Sequence, residues 1–247
     1  MPSFVTSGRF DAVLFDMDGV ITDTASLHAQ CWKSMFDDYL QLRAVRSGEP
    51  FLPFDLNSDY RLHVDGKPRY RGVRDFLQSR DVTLPEGSPV DSPEEETVCG
   101  LGNQKNALFN EALASTGVEA YPGSVAFLEY LRRMGLKSAV VTSSHNAHTV
   151  LEAANVEDYF DVQVDDEVLL RHKLTGKPSP DCFLKAAEML GVTPDRAVVI
   201  EDALSGVQAG AKGGFGLVIG VARKGDAEEL KAQGADQVVN DLAELIS

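Results

Sequence analysis

The stretch Asp16-Met17-Asp18-Gly19-Val20 follows directly on the apolar run Ala12-Val13-Leu14-Phe15. A run this short and this apolar predicts a buried strand of a parallel sheet. The two carboxylates after it are two residues apart, so they point the same way if the strand period persists. Paired carboxylates repel each other and lose hydration, so they need a cation or a shared proton, and the glycine allows a tight turn beside them. The stretch indicates a site for Mg²⁺ and one nucleophilic carboxylate.

From Tyr121 onward, short apolar strands alternate with helices. That alternation predicts βαβ units, a parallel sheet and right-handed crossovers. The first strand has the same character, yet about 100 mainly helical residues separate it from the rest. We therefore predict an α/β fold, with a Rossmannoid parallel sheet core (residues 1–22 and 117–247) and an inserted, mainly helical cap domain (residues 23–116). Ligands of such sheets bind beyond the carboxyl ends of the strands.

Composition excludes several classes of partner. The 247-residue chain carries a net charge of -15, which argues against binding nucleic acid or an anionic membrane. No apolar run reaches the ~18 residues of a membrane span. The three cysteines, Cys31, Cys99 and Cys182, are odd in number and widely spaced, which fits a reducing cytoplasm. The first residues lack the basic and apolar regions of a signal peptide. We expect a cytoplasmic monomer or weak dimer.

Polar residues follow two further strands and fill one loop. Thr142-Ser143-Ser144 follows one strand and offers hydroxyls with neighbouring N–H groups for a phosphate. Glu201-Asp202 follows another strand and is a second acidic pair suited to Mg²⁺. Lys177 lies in the loop that opens the following helix and can offset the charge of a carboxylate, an aspartyl phosphate and the substrate. Each feature alone is more often a helix cap or a solvated lysine. Together with the first acidic pair, at one edge of one sheet, they are hard to obtain by chance.

Four segments carry a family resemblance. FDMDGVITDT (15–24), VVTSS (140–144), GKPSPD (176–181) and VIEDALSGVQAG (199–210) resemble the four motifs of the haloacid dehalogenase-like superfamily of phosphotransferases. Within it, the chain is similar to the β-phosphoglucomutase-type group with a helical cap, because ITDT is followed by His28 and because of Tyr121-Pro122-Gly123 and the GKPSPD loop.

The resemblance implies a role for each acidic residue. Asp16 attacks the phosphoryl group and becomes an aspartyl phosphate, and Asp18 acts as the general acid and base. The implied cofactor is Mg²⁺, and its implied ligands are Asp16, Asp18 (through its backbone carbonyl), Glu201 and Asp202. These roles agree with the needs of phosphoryl transfer, which depends on in-line positioning and charge neutralisation.

The resemblance also implies which residues bind substrate. In the core, Thr142 and Lys177 hold phosphoryl oxygens, with Ser143 and Ser144 beside them. The implied partner is a small phosphorylated sugar.

The cap is expected to choose the sugar. The resemblance places His28 and Lys105 near the sugar and the acid/base Asp18. The family's arginine for the distal phosphate falls at Arg71 or Arg74, in the segment Arg71-Gly72-Val73-Arg74. Solvated surface roles are the alternative for each of these basic residues. Residues 44–70 contain several helix breakers, so we predict an irregular polar segment that is longer than in the family's usual cap.

Three functions remain open at this point. The first is a mutase that interconverts β-glucose 1-phosphate and glucose 6-phosphate through a bisphosphate. The second is a sugar-phosphate phosphatase that uses the same residues but lets water attack the aspartyl phosphate; the two differ in how well a closed cap excludes water. The third, less favoured, is a non-catalytic phospho-acceptor signalling module, which would need neither the second aspartate nor a cap.

Overall fold

The structure is a computed structural model that describes residues 8–223 and 225–246. It divides into two compact units. The first takes the described parts of Met1–Thr24 and Val118–Ser247, and the second is Ala25–Gly117. The predicted division placed the junctions at 22/23 and 116/117, against 24/25 and 117/118 in the structure.

A parallel sheet forms the centre of the first unit. Its described strands are β1 (Ala12–Phe15), β2 (Lys137–Val141), β3 (Val162–Val164), β4 (Ala197–Glu201), β5 (Leu217–Val221) and β6 (Gln237–Val239). They lie in the order β3-β2-β1-β4-β5-β6, and each neighbouring pair is parallel. The predicted α/β class with a Rossmannoid parallel sheet is confirmed.

The register of the sheet brings the motif residues to one edge. Phe15 at the end of β1 pairs with Val140 of β2 on one side and Ile200 of β4 on the other. The residues that follow these strands therefore lie at one level, beyond their carboxyl ends. The change of direction in strand order occurs beside β1, where such sheets bind ligands.

The second unit is helical. Its α-helices are α1 (Ala25–Ser47), α2 (Arg69–Ser79) and α3 (Val98–Thr116), with a π-helix at Tyr60–Val64. Phe36 lies at the centre of its core, with ring centroids 5.0 Å from Phe54 and 4.1 Å from Phe76. No helix in the described parts of the chain is both long enough and apolar enough to cross a membrane.

The segment 44–70 is less irregular than we predicted. Helix α1 continues to Ser47, a π-helix occupies part of the segment, and α2 begins at its end. Phe54 is fully buried; its backbone N–H donates to Asp37 at 2.7 Å, and its carbonyl accepts from Lys33 at 2.8 Å. A buried aromatic ring inside a polar stretch therefore anchors the segment, which a count of helix breakers cannot show.

The remaining helices belong to the first unit. They are α4 (Pro122–Met134), α5 (Ala147–Ala153), α6 (Asp166–His172), α7 (Asp181–Leu190), α8 (Leu204–Lys212) and α9 (Ala227–Ala232), with 3-10 turns at Glu157–Tyr159, Pro194–Arg196 and Leu242–Leu245. Phe183 and Ala186 of α7 pack in one core cluster with Leu14 and Val199 of the central strands. This packing holds the strands whose ends carry the polar residues.

Candidate active site

Asp16 and Lys177 form a buried ion pair at the edge of the sheet. The Nζ of Lys177 lies 2.5 Å from Oδ1 of Asp16 and 2.6 Å from Oε1 of Glu201, and it donates to the carbonyl of Val141 at 3.0 Å. Lys177 has no exposed surface, and Asp16 is 6% exposed. The lysine therefore joins the ends of β1, β2 and β4 and is not the solvated side chain that its position in a loop allowed.

The two carboxylates that contact this lysine lie close to a third buried carboxylate, Asp202. Asp16, Glu201 and Asp202 each offer an oxygen atom, and these atoms lie within 4.8 Å of one another. Burial and the charge of Glu201 raise the pKa of Asp16 well above its usual range. Burial by itself would lower the pKa of Lys177, but the charges of Asp16 and Glu201 raise it above its usual value.

This carboxylate group fits a divalent cation. One lysine cannot balance three carboxylates, and a hard cation with oxygen ligands offsets the remaining charge. The oxygen-only donor set is the kind that Mg²⁺ takes in phosphoryl-transfer enzymes.

Two glycines make room for these carboxylates. A Cβ atom on Gly206 would lie 1.7 Å from Oε1 of Glu201, and one on Gly19 would lie 2.1 Å from Oδ2 of Asp202. Gly19 also has a φ of +87°, in the left-handed region that favours glycine. The other oxygen of Glu201, Oε2, accepts from the backbone N–H groups of Asp202 and Ala203, both at 3.1 Å. The backbone of the turn after β4 therefore holds the Glu201 carboxylate in place.

Asp18 differs from Asp16 in its surroundings. It is half-buried, and its Oδ1 accepts a hydrogen bond from the hydroxyl of Thr24, which lies 2.9 Å from the hydroxyl of Thr22. Its carboxylate is not part of the group formed by the three buried acids. The two carboxylates of the opening stretch are therefore unequal. The metal role that the resemblance implied for the backbone carbonyl of Asp18 stays a prediction.

The hydroxyl residues follow β2, next to β1. Thr142 is buried, and its Oγ1 accepts from the backbone N–H of Ser144 at 3.1 Å. The hydroxyl of Ser144 in turn accepts from the N–H of Asn146 at 3.2 Å. Ser143 lies between these two residues and is half-buried. The turn is thus built by its own hydroxyls, and the phosphate-binding role of all three stays a prediction.

Two candidate residues of the helical unit lie together. Nζ of Lys105 is 2.5 Å from Nδ1 of His28, and the His28 ring stacks on Phe109 with centroids 4.0 Å apart. Lys105 is 5% exposed, and its ammonium lies over the rings of Phe109 (4.8 Å) and Trp32 (5.3 Å). A buried lysine held over aromatic rings beside a histidine is unlike a solvated surface lysine.

In the predicted segment Arg71-Gly72-Val73-Arg74, both arginines lie beside carboxylates of the same unit. Arg74 is exposed and makes two hydrogen bonds to the carboxylate of Glu86, at 2.6 and 3.2 Å. Arg71 lies 3.7 Å from Asp75, one turn along the same helix. Gly72 is buried against Val64, where a Cβ atom would come within 2.6 Å of a side-chain methyl. Gly72 therefore has a packing role, and Arg74 already has a carboxylate partner.

Arg69 is a candidate that the sequence analysis missed. Its Nε is buried and has no hydrogen-bond partner among the described residues. Its Nη2 donates to the hydroxyl of Tyr70 at 3.1 Å, and that hydroxyl donates to Asn103 at 2.9 Å. A buried guanidinium N–H without a partner is costly unless a ligand accepts from it. Three arginines stand within six residues here, so the sequence could not select among them.

Comparison with known proteins defines the class. Residues 10–214 match the family model described as haloacid dehalogenase-like hydrolase. The chain belongs to this family, as its four motifs predicted, and it is an enzyme, a phosphotransferase of the superfamily.

The chain is similar to other members of this family along nearly its whole length. The β-phosphoglucomutase of Mycobacterium bovis is 51% identical over 238 residues, covering 95% of this chain and 91% of that protein. The phosphorylated carbohydrates phosphatase of Thermotoga maritima is 28% identical over 246 residues, covering 96% of this chain and all of that protein (100%). The crystal structure of β-phosphoglucomutase from Clostridium difficile matches with a TM-score of 0.73 and 26% identity, covering 96% of this chain and 93% of that one.

Proposed function

We propose that this protein is a Mg²⁺-dependent β-phosphoglucomutase, which interconverts β-glucose 1-phosphate and glucose 6-phosphate. The observation that carries the proposal is the 51% identity to the M. bovis β-phosphoglucomutase over 95% of this chain. An identity of that extent includes the helical unit, where the family's substrate choice is expected to lie. The buried pair of Asp16 and Lys177 supplies a nucleophile next to a fixed positive charge.

The proposed cycle starts with a phosphoryl group on Asp16. The 6-hydroxyl of β-glucose 1-phosphate attacks the phosphorus, its proton passes to Asp18, and the bond between phosphorus and Asp16 breaks. The resulting bisphosphate turns round, and Asp16 attacks the phosphorus at C1. Asp18 then returns its proton to the departing sugar oxygen, which releases glucose 6-phosphate and restores the phosphorylated enzyme.

The other core residues stabilise charge in both steps. Lys177 and Thr142 hold the phosphoryl oxygens in line with the attacking atom, so positioning and electrostatics supply most of the rate. Asp16, Glu201, Asp202 and the backbone carbonyl of Asp18 would hold Mg²⁺, and bound Mg²⁺ neutralises the developing charge. A cytoplasmic location and a monomeric or weakly dimeric state stay predictions.

A sugar-phosphate phosphatase is the second candidate. It is favoured by the similarity to the T. maritima phosphorylated carbohydrates phosphatase over the full length of that protein. The same residues would act, but water instead of a sugar hydroxyl would attack the aspartyl phosphate. The membership in an enzyme family leaves no reason to retain a non-catalytic signalling role.

Phosphorus NMR separates the two functions. The protein is incubated with Mg²⁺, β-glucose 1-phosphate and a catalytic amount of glucose 1,6-bisphosphate. We expect glucose 6-phosphate without free phosphate, and loss of the reaction in EDTA that excess Mg²⁺ restores. Free phosphate from several sugar phosphates would move the assignment to phosphatase, and no turnover by the wild type would contradict both.

Arg69 is proposed as the arginine that binds the distal phosphate. Arg69→Ala should raise KM for β-glucose 1-phosphate about ten- to hundred-fold, because a charged hydrogen bond to the substrate is lost. Arg74→Ala is the matched control: its guanidinium is exposed and paired with Glu86, so KM should stay within about twofold. Steady-state kinetics decide the point, and a larger effect from Arg74→Ala would reverse the assignment.

A further inference from the structure

Arg223 lies just after β5 and outside the four motifs. Its Nε donates to the backbone carbonyl of Gly19 at 2.9 Å, and its Nη2 lies 3.5 Å from the carbonyl oxygen of Val20. Its side chain is 17% exposed. A guanidinium from a distant part of the sequence therefore contacts two successive carbonyls of the turn that follows Asp18.

The guanidinium is itself held on two sides. Its Nη1 donates to Oδ2 of Asp241 at 2.7 Å, and its Cζ lies 3.6 Å from the centre of the Tyr121 ring. Burial would raise the pKa of Asp241, but the hydrogen bond from Arg223 lowers it below its usual value, so the pair is charged. A Cβ atom on Gly123 would lie 1.7 Å from Oδ1 of Asp241, so any larger residue at position 123 would displace this carboxylate. Asp241 and Tyr121 thus hold the planar guanidinium of Arg223 in one orientation, independently of its hydrogen bonds to the turn.

Helix α4 supports the same turn. The buried hydroxyl of Ser124 donates to the carbonyl of Val20 at 2.6 Å and lies 3.3 Å from Nη2 of Arg223. The backbone N–H of Tyr121 donates to the carbonyl of Ile21 at 2.9 Å. The carbonyls of three consecutive residues, 19 to 21, therefore accept hydrogen bonds from side chains or backbone that lie elsewhere in the fold.

The direction of Asp18 depends on this turn. Gly19 directly follows Asp18, and the N–H of Gly19 donates to the carbonyl of Thr22 at 2.8 Å. The carboxylate of Asp18 accepts from Thr24, at the far end of the same turn. A group that transfers a proton must lie within hydrogen-bond reach of its target, and a shift of about 1 Å can cost about 100-fold in rate.

We propose that Arg223 is a positioning residue for proton transfer by Asp18. It acts through the carbonyls of Gly19 and Val20, which it holds in the orientation that aims the Asp18 carboxylate. The inference rests on the proposed role of Asp18 as general acid and base. Arg223, in the loop after β5, would thus contribute to catalysis by orienting Asp18.

A dependence on the leaving group separates positioning from a merely structural role. When Asp16 attacks an alkyl phosphate, the departing alkoxide needs the proton of Asp18. When it attacks p-nitrophenyl phosphate, the departing nitrophenolate is stable without a proton. Displacement of Asp18 should therefore slow the first reaction and spare the second, whereas general damage to the site slows both.

The test is the first-turnover rate of Asp16 phosphorylation in Arg223→Lys, measured by quenched flow with Mg²⁺. With glycerol 2-phosphate or β-glucose 1-phosphate, the rate should fall about ten- to hundred-fold, a part of the ~10²–10⁴-fold that general acid catalysis supplies. With p-nitrophenyl phosphate, it should stay within about twofold. Arg196→Lys is the matched control: Arg196 also pairs with a carboxylate, Asp11, but at the opposite ends of the strands, and both rates should be unchanged.

An equal loss of rate with the alkyl phosphates and with p-nitrophenyl phosphate would show that Arg223 has a merely structural role. No loss of rate with any of them would show that Arg223 has no role in the reaction. Either result would overturn the inference. If Arg223→Lys does not fold by circular dichroism, Ser124→Ala carries the same test, since it removes the other side chain that donates to Val20. Asp18→Asn separates this inference from the proposed function. If Asp18→Asn leaves the rate with alkyl phosphates unchanged, Asp18 is not the general acid, and this inference fails with that role. If the wild type reacts with the other esters but not with β-glucose 1-phosphate, the proposed sugar is wrong, and the inference about Arg223 is unaffected.

Discussion

Asp16→Asn is expected to lower the turnover of β-glucose 1-phosphate by at least about 10⁴-fold, because the amide cannot form the aspartyl phosphate. The fold should be kept. Asp16 is one of three buried carboxylates that lie close together, and its pKa is raised well above its usual range by burial and by Glu201. Replacing it with a neutral side chain of the same shape removes repulsion, so the melting temperature in EDTA should be equal or higher.

Coupled detection of glucose 6-phosphate measures the rate, and thermal unfolding with and without Mg²⁺ measures the stability. Asp11→Asn is the matched control, because Asp11 precedes the same strand but pairs with Arg196 at its other end. It should keep full activity. Turnover by Asp16→Asn within tenfold of the wild type, in a preparation shown by mass spectrometry to be free of deamidation, would remove Asp16 as the nucleophile.

Lys177→Met should damage both catalysis and stability. The lysine has no exposed surface and contacts Asp16 and Glu201, so its loss removes the charge that we propose holds the phosphoryl oxygens. We expect turnover to fall by about 10²–10³-fold, as when a fixed electrostatic partner is removed. Breaking a buried ion pair from one side costs about 3–5 kcal/mol, so the free energy of unfolding in EDTA should fall by that amount at pH 8.

The loss of stability should depend on pH in a defined direction. The pKa of Asp16 is higher in the folded protein than in the unfolded chain, so the folded state binds more protons and stability falls as pH rises. Without Lys177 the pKa of Asp16 rises further, so the deficit should grow as pH rises through the already raised pKa of Asp16 in the wild type. Urea unfolding in EDTA at a series of pH values measures it. A deficit that shrinks with rising pH would contradict the assignment.

Lys137→Met serves as the control for Lys177→Met. Lys137 is an exposed lysine at the start of β2, and its ammonium donates to the carbonyl of Leu190 at 2.6 Å. A surface change of this kind should alter the free energy of unfolding by no more than about 0.5 kcal/mol. An equal effect from both substitutions would show that burial beside the carboxylates is not the cause.

Much of the core could be predicted from the sequence. Short apolar runs identified the strands, and parallel strands place their carboxyl ends at one edge. Asp16 and Asp202 directly follow strands, Glu201 is the last residue of β4, and the three form the buried group. Lys177, from a loop, joins them through its ion pairs. The spacing of carboxylates along the chain is given by the sequence, and the repulsion between the two members of each acidic pair follows from that spacing. Both can therefore be predicted without coordinates.

The helical unit was predicted less well. Arg74 lay in the expected segment but pairs with Glu86, whereas Arg69 carries the buried N–H without a described partner. Helical periodicity places these residues on a surface, but the carboxylate that neutralises one of them comes from a separate segment. The buried Phe54 likewise ordered a stretch that its breakers marked as irregular.

The sequence by itself determined the fold class, through the alternation of short apolar strands with helices, and it determined the family and the chemistry through the resemblance that its four motifs carry. Only the tertiary structure decided that Asp18 turns to Thr24 and that Arg223, 204 residues beyond Gly19, donates a hydrogen bond to the turn beside it. The physical reason is that hydrogen bonds act over about 3 Å in space and carry no record of separation along the chain. Asp16 and Asp18 therefore indicated the type of reaction from the sequence. The orientation of Asp18, as we infer, depends on Arg223, which is distant from it along the chain.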